Sequence, residues 1–189
     1  TLYTFSKENW KRPKSEVNAL MSLLLKTINI EVKDLHKNNV KFTIIGDLNS
    51  LPKSTKKGLQ DGIELTKNNQ GLNLCLALNY GSRQEIIKGI QLIAEKIKND
   101  EIQINDINEI FFSKYLYTYN TPDPDLLIRT SGEYRLSNFL LWQCAYTEIY
   151  MTETNWPAFR ENELINAIYD FQLRERRFGK VSSQIRDSK

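Results

Sequence analysis

Apolar and polar positions change period several times along the chain, and each change marks an element. Leu2 to Phe5 reads as a strand and stops abruptly at the polar run Ser6-Lys7-Glu8-Asn9-Trp10-Lys11-Arg12-Pro13. From Ser15 the period lengthens. Val17, Leu20, Met21, Leu24, Leu25, Ile28 and Val32 recur at three- and four-residue spacing, which predicts a long helix to about Lys37. Ser15 and Glu16 suit its first turn. Val40 to Ile45 is a second strand closed by Gly46-Asp47, and Leu51-Pro52 opens a helix reaching roughly Asn68.

Leu72 to Leu78 is almost unbroken in its apolar character, the mark of a strand covered on both faces in a parallel sheet. A helix from Gly81 to about Asn99 follows, then a shorter one around Ile104 to Tyr115. Leu126 to Ile128 is a fourth strand, succeeded by the loop Arg129-Thr130-Ser131-Gly132-Glu133-Tyr134-Arg135. A short apolar helix is predicted over Ser137 to Ala145, a last strand over Glu148 to Met151, and a closing helix over Ile165 to Phe178. Strands alternating with helices predict an α/β fold, a single-domain sandwich with a central, mainly parallel sheet. Repeats, low-complexity segments and linkers are not visible, so one domain over residues 1–189 is expected. The chain opens directly inside a strand, as a natural N-terminus can, and as a domain lacking its first element would.

Composition adds bounds. A length of 189 residues, 40% hydrophobic and 26% charged, is ordinary for a globular protein with a sizeable core. The net charge of +3 permits an anionic ligand, but it is too weak and too evenly spread to argue for nucleic acid. The two cysteines, Cys75 and Cys144, lie in apolar runs and read as buried free thiols of a reducing compartment. No run approaches the ~18 apolar residues of a membrane span. Thr1 to Trp10 shows no signal-peptide pattern, which makes a cytoplasmic location the default. The basic, polar stretch Arg174 to Lys189 is expected to fray at its end.

Ligands of open parallel sheets bind outside the carboxyl ends of the strands. The segments to read are therefore Ser6 to Arg12, Gly46-Asp47, Asn79 to Arg83 and Arg129 to Asn138. The last carries two arginines six residues apart, Gly132 for a tight turn, and a predicted helix start at Ser137-Asn138. Guanidinium forks, a turning glycine and free N–H groups at a helix start all suit phosphate. The plainer alternative is a solvated loop with surface arginines. Ser6 to Arg12 also has two readings. It is a mobile lid closing Trp10 over a ligand, or a strand-to-helix connection whose tryptophan packs on the domain.

No catalytic triad, Walker lysine loop or G-x-G-x-x-G run is present. His36, the only histidine, reads as a surface residue at a helix end. Possible metal ligands are scattered carboxylates, Glu8, Asp47, Asp125, Glu133 and Glu148, whose hard oxygens suit Mg²⁺ shared with substrate phosphates rather than zinc.

The wording of several segments goes further. Thr1 to Pro13, Ala77 to Arg83, Pro124 to Gln143, Trp156-Pro157 and Arg176-Arg177-Phe178-Gly179 together resemble the cis-prenyltransferases of the undecaprenyl diphosphate synthase type, in the expected order along essentially the whole chain. The resemblance implies that fold, and a transferase condensing isopentenyl diphosphate head to tail with an allylic diphosphate, typically farnesyl diphosphate. The new double bonds would be Z, Mg²⁺ would assist, and undecaprenyl diphosphate would serve cell-wall synthesis. Each added five-carbon unit would bury about 3–4 kcal/mol of apolar surface in a tunnel lined by the long first helix, the helix after Pro52, and Leu72.

The resemblance further implies that Arg129, Arg135, Leu136 and Ser137 contact isopentenyl diphosphate, and that Glu148 is a magnesium ligand. Ser6, Lys7, Glu8, Trp10 and Arg12 would touch substrate, and Asn9 would sit at the catalytic position. A neutral amide is a poor base, so Asn9 is expected to orient a proton relay rather than hold the proton. Glu16 matches a position near the lid hinge. A homodimer and a peripheral membrane contact for product release are also implied. Two departures stand out. The family's Asp-Gly-Asn-Gly-Arg segment, with its catalytic aspartate, is not found before Thr1, and Ala158 replaces a commonly acidic residue. A non-catalytic subunit of the same fold, or a truncated inactive form, is the alternative, and an RNA-binding module lacks a basic stripe with interleaved aromatics.

Overall fold

The computed structural model describes residues 1–179, 181 and 184. The expected fraying of the end beyond them lies outside the described residues. The chain falls into two compact units, Thr1–Asn120 and Thr121–Lys189.

The first unit is built on three parallel strands, β1 (Leu2–Ser6), β2 (Lys41–Ile45) and β3 (Asn73–Tyr80), in the order β1-β3-β2. As the apolar run predicts, β3 is the central strand, with Cys75, Ala77, Leu78, Asn79 and Tyr80 all buried. Its register pairs Leu2 with Leu76 and Ile45 with Ala77, so the carboxyl ends of all three strands reach one edge.

Helix α1 (Lys14–Lys37) buries Val17, Met21, Ile28 and Val32 along one stripe, while the off-stripe Leu23 is exposed. It starts one residue before Ser15, with Pro13 at the cap: the proline presets the backbone dihedral of the helix start and its missing N–H costs nothing there. Helix α2 (Lys53–Thr66) follows Pro52 in the same manner and packs on α1. The stripe meets Phe5, Phe42, Leu51, Leu59 and Leu78 in a continuous core. His36 is exposed in the last turn of α1, as expected.

Thr66, fully buried, closes this core chemically. Its Oγ1 accepts from the Phe42 N–H at 3.0 Å and donates to the Gly62 carbonyl at 3.0 Å. Thr66→Val keeps the shape and leaves the Phe42 N–H unsatisfied. A loss of about 1–3 kcal/mol in urea unfolding is expected, and a neutral outcome would mean the site admits water.

Helix α3 (Ser82–Lys98) follows β3 directly and leads to a short α4 (Glu109–Ser113), which is less than the Ile104 to Tyr115 helix expected because Ile104–Asp106 forms a separate 3-10 turn. Buried Glu85 ties this region together: it accepts from the Tyr80 hydroxyl at 2.6 Å and the Tyr117 N–H at 2.7 Å.

The second unit holds the parallel pair β4 (Leu126–Arg129) and β5 (Glu148–Met151), then α5 (Glu161–Gln172). Three expectations are corrected here. Ser137 to Ala145 is not helical: Ser137, Asn138 and Leu140 take φ of 51°, 62° and 46°, and a right-handed helix cannot pass through them. Burial of Leu140 and Gln143 outweighs the local apolar pattern. Helix α5 begins earlier than Ile165 because the Glu163 carboxylate caps the Arg160 N–H at 2.9 Å. It ends at Gln172, before Arg174 turns back toward β5. Both cysteines are free; Cys75 is buried, and Cys144 only partly so, where a buried thiol was expected.

Candidate functional site

The carboxyl edge of the first sheet brings together three of the four segments singled out from sequence. β1 runs into a 3-10 turn, Lys7–Lys11, none of whose residues is fully buried. Its Asn9 side-chain oxygen accepts from the Ser6 N–H at 2.9 Å, and its carbonyl accepts from the Arg12 N–H at 3.1 Å. Asn9 therefore shapes the turn that carries it. Glu8 is exposed and Arg12 pairs with Glu16 one helical turn on, at 2.9 Å.

Trp10 is anchored rather than loose. Its ring meets Phe5 edge to face at 5.5 Å, and its indole N–H donates to the Asn79 side-chain oxygen at 2.6 Å. Of the two readings of this segment, the one in which the tryptophan packs on the domain holds in this conformation. Asn79 was not named from sequence beyond its segment. The available signal was an asparagine ending an apolar strand before Tyr80-Gly81, where its φ of 50° is one that asparagine tolerates. Tyr3, three residues before the end of β1, reaches the Tyr80 carbonyl with its hydroxyl, donating at 3.2 Å; burial, then the charge of Glu8, push that hydroxyl up to about 12, so it stays protonated.

Asp47 follows Gly46 at the end of β2. The Ser50 hydroxyl donates to it at 2.5 Å, the Asn49 N–H at 3.1 Å, and the Lys7 ammonium lies 3.8 Å away. The Ser50 bond first, then Asn49, Lys7 and Lys88, hold its carboxyl below the usual range against partial desolvation. A depressed folded value means stability that is present above the unfolded value and is lost as pH falls through the folded one. Asp47→Asn should therefore destabilise at pH 7 and converge with the parent once the pH falls below the lowered folded value of Asp47, as read by unfolding midpoints across pH. Parallel pH profiles would contradict it.

In the second unit, Arg129 ends β4. Its Nε is buried without a hydrogen-bond partner, and no carboxylate lies within ion-pair reach among the described residues. The backbone beyond it is committed: the Ser131 and Gly132 N–H groups donate to Thr154 and Thr152. Gly132 at φ 62° folds the loop against Glu153. Since no helix starts at Ser137, the helix-terminus contribution to phosphate binding predicted from sequence is withdrawn. Arg135 is exposed and pairs with Glu133; Leu136 is partly buried and Ser137 exposed.

Glu148 opens β5 in register with Leu126, while Arg129 pairs with Met151 at the far end, so the two do not share an edge. The Glu148 Oε2 is held by Arg174 at 3.0 Å; Arg174 also donates to the Ile149 carbonyl at 3.0 Å and to Asp170 at 2.5 Å. Asp125 pairs with Arg176 at 2.5 Å. Among the described residues no three His, Cys, Asp or Glu side chains gather into a metal site. The Glu148 carboxylate still fits Mg²⁺ in the mode where one protein oxygen is joined by substrate phosphates and water.

The chain is similar to known proteins over nearly its whole length. The family model described as "Putative undecaprenyl diphosphate synthase" matches residues 1–179. An isoprenyl transferase of Clostridium perfringens is 54% identical over 181 residues, covering 96% of this chain and 72% of the relative. The ditrans,polycis-undecaprenyl-diphosphate synthase ((2E,6E)-farnesyl-diphosphate specific) of Micrococcus luteus is 52% identical over 179 residues, covering 95% and 72%. The crystal structure of lavandulyl diphosphate synthase from Lavandula x intermedia, in complex with dimethylallyl diphosphate, superposes with a TM-score of 0.91 at 36% identity, covering 94% of this chain and 77% of that one. The α/β architecture with parallel strands is the one this family uses, and the chain belongs to it: it is a member of the cis-prenyltransferases of the undecaprenyl diphosphate synthase type.

Proposed function

We propose that this transferase extends farnesyl diphosphate by successive condensation with isopentenyl diphosphate, forming Z double bonds and yielding undecaprenyl diphosphate for the lipid carrier of cell-wall synthesis. The names of relatives more than half identical support the reaction class. The observation that carries the site is the buried, unpartnered Nε of Arg129 at the carboxyl end of β4. A donor in that state favours an oxyanion, and diphosphate supplies several oxygens to a guanidinium fork.

In this reading Arg129, with Arg135, Leu136 and Ser137, receives isopentenyl diphosphate. Ser6, Lys7, Glu8, Trp10 and Arg12 contact substrate along the first sheet's edge. Asn9 keeps its side-chain oxygen on the Ser6 N–H and orients a proton relay rather than holding the proton. Glu148 is the proposed ligand of Mg²⁺, which when bound would offset diphosphate charge as it departs. The tunnel assigned to α1, α2 and Leu72 remains part of the proposal; Leu72 itself is 72% exposed.

We also propose one prenyltransferase domain spanning both units, supported by a family match that runs unbroken over residues 1–179. A homodimer is supported by α5, which exposes Leu164, Ile165, Ile168 and Tyr169, with exposed Leu173 directly after it. A cytoplasmic enzyme touching the membrane only to release product agrees with the absence, among the described residues, of a helix long and apolar enough to cross one. The test is direct. The full-length protein, farnesyl diphosphate, labelled isopentenyl diphosphate and Mg²⁺ should give butanol-extractable Z-polyprenyl diphosphate. Absence of incorporation, or a product of a single coupling, would overturn the reading.

A further inference from the structure

The segment Lys7–Lys11 carries most of the proposed substrate contacts of the first unit, yet it buries no residue fully. Something outside it must fix its position. Asn79 is 2% exposed at the carboxyl end of β3, and its carboxamide has both ends engaged. The oxygen accepts from the Trp10 indole at 2.6 Å, and the nitrogen donates to the Asp47 carbonyl at 2.6 Å. Its own carbonyl accepts from the Asp47 N–H at 3.3 Å. One buried side chain thus joins the 3-10 turn after β1 to the loop after β2, with β3 between them.

The chemistry is specific to an amide. Asparagine supplies one acceptor and one donor at the required spacing, and it tolerates the φ of 50° found here. A carboxylate would keep the acceptor for Trp10 but could not donate to Asp47. A glycine would keep the backbone and lose both links. Trp10, for its part, has Phe5 against its ring but takes its polar anchor from Asn79.

We infer that Asn79 is a positioning residue of the reaction, holding Trp10, and with it Ser6, Lys7, Glu8, Asn9 and Arg12, in register with the Gly46-Asp47 loop at the edge where substrate binds. The inference rests on the proposed function for its kinetic consequence and on geometry alone for its structural one, and the test separates the two. In the full-length protein, the Trp10 indole N–H, assigned by its loss in Trp10→Phe, should exchange about tenfold faster in Asn79→Gly than in the parent and stay protected in Asn79→Asp. With farnesyl and isopentenyl diphosphates, Asn79→Gly should lower kcat/KM on the order of 100-fold, with Asn79→Asp between it and the parent.

Because the two residues act through one bond, Asn79→Gly combined with Trp10→Phe should lose no more than the worse single variant. Unchanged indole exchange in Asn79→Gly, or losses that multiply in the double variant, would overturn the assignment. If Asn79→Gly does not fold, slower turnover with a protected indole in Asn79→Asp supports it, and wild-type turnover there overturns it. A parent protein inactive in prenyl transfer would sink the proposed function while leaving the exchange result to decide the positioning role.

Discussion

Gly46→Ala is expected to leave most of the protein unfolded under conditions where the parent is native, a loss of about 4 kcal/mol or more. Two independent effects act at this position. Its φ of 121° lies where a side chain is rarely accommodated, which alone costs on the order of 1–3 kcal/mol. An added Cβ would also stand 2.0 Å from the Leu78 carbonyl oxygen and 3.0 Å from its carbon. These are main-chain atoms of the central strand, so no rotamer change relieves the clash. Relief requires β2 to move away from β3 just where Ile45 pairs with Ala77. The Asp47 N–H and carbonyl, both bound to Asn79, would move with it. Urea unfolding of Gly46→Ala measures this; a midpoint free energy within about 1 kcal/mol of the parent would show that the edge yields more easily than packed backbone should.

What could be read in advance follows from how local each determinant is. The three-and-four spacing of Val17, Met21, Ile28 and Val32 needs no partner to be recognised, and neither does the apolar run of β3. The boundaries of α5 were missed because its start depends on the Glu163 carboxylate reaching the Arg160 N–H, and its end on Arg174 finding Glu148 more than twenty residues back. The apolar stretch from Ser137 looked helical because its pattern was local, while the three left-handed residues that break it answer to burial of Leu140 and Gln143. At the candidate site, the sheet rule located the right segments, but which side chains are committed and which are open is a matter of tertiary contact. Of the two predicted arginines, Arg129 ends β4 and Arg135 follows it. Only one of them is left with a buried donor unsatisfied.

That difference predicts unequal roles for the pair. Arg129→Ala should weaken binding of isopentenyl diphosphate, and of inorganic pyrophosphate as the simplest probe, about 100-fold, the equivalent of one to two charge-assisted hydrogen bonds. Arg135→Ala should cost about tenfold or less, because Arg135 is 62% exposed and already compensated by Glu133. Stability separates binding from folding. Deleting the Arg129 guanidinium removes a buried donor without a partner, so the unfolding midpoint of Arg129→Ala should hold or rise even as binding falls. Arg129→Lys should recover part of the affinity, since a point charge attracts diphosphate without reproducing the planar fork. Titration calorimetry with both ligands reads all three variants. A larger loss in Arg135→Ala than in Arg129→Ala would mean that the exposed arginine, once freed from Glu133, is the one that grips the anion, and that the buried Nε answers to the fold alone.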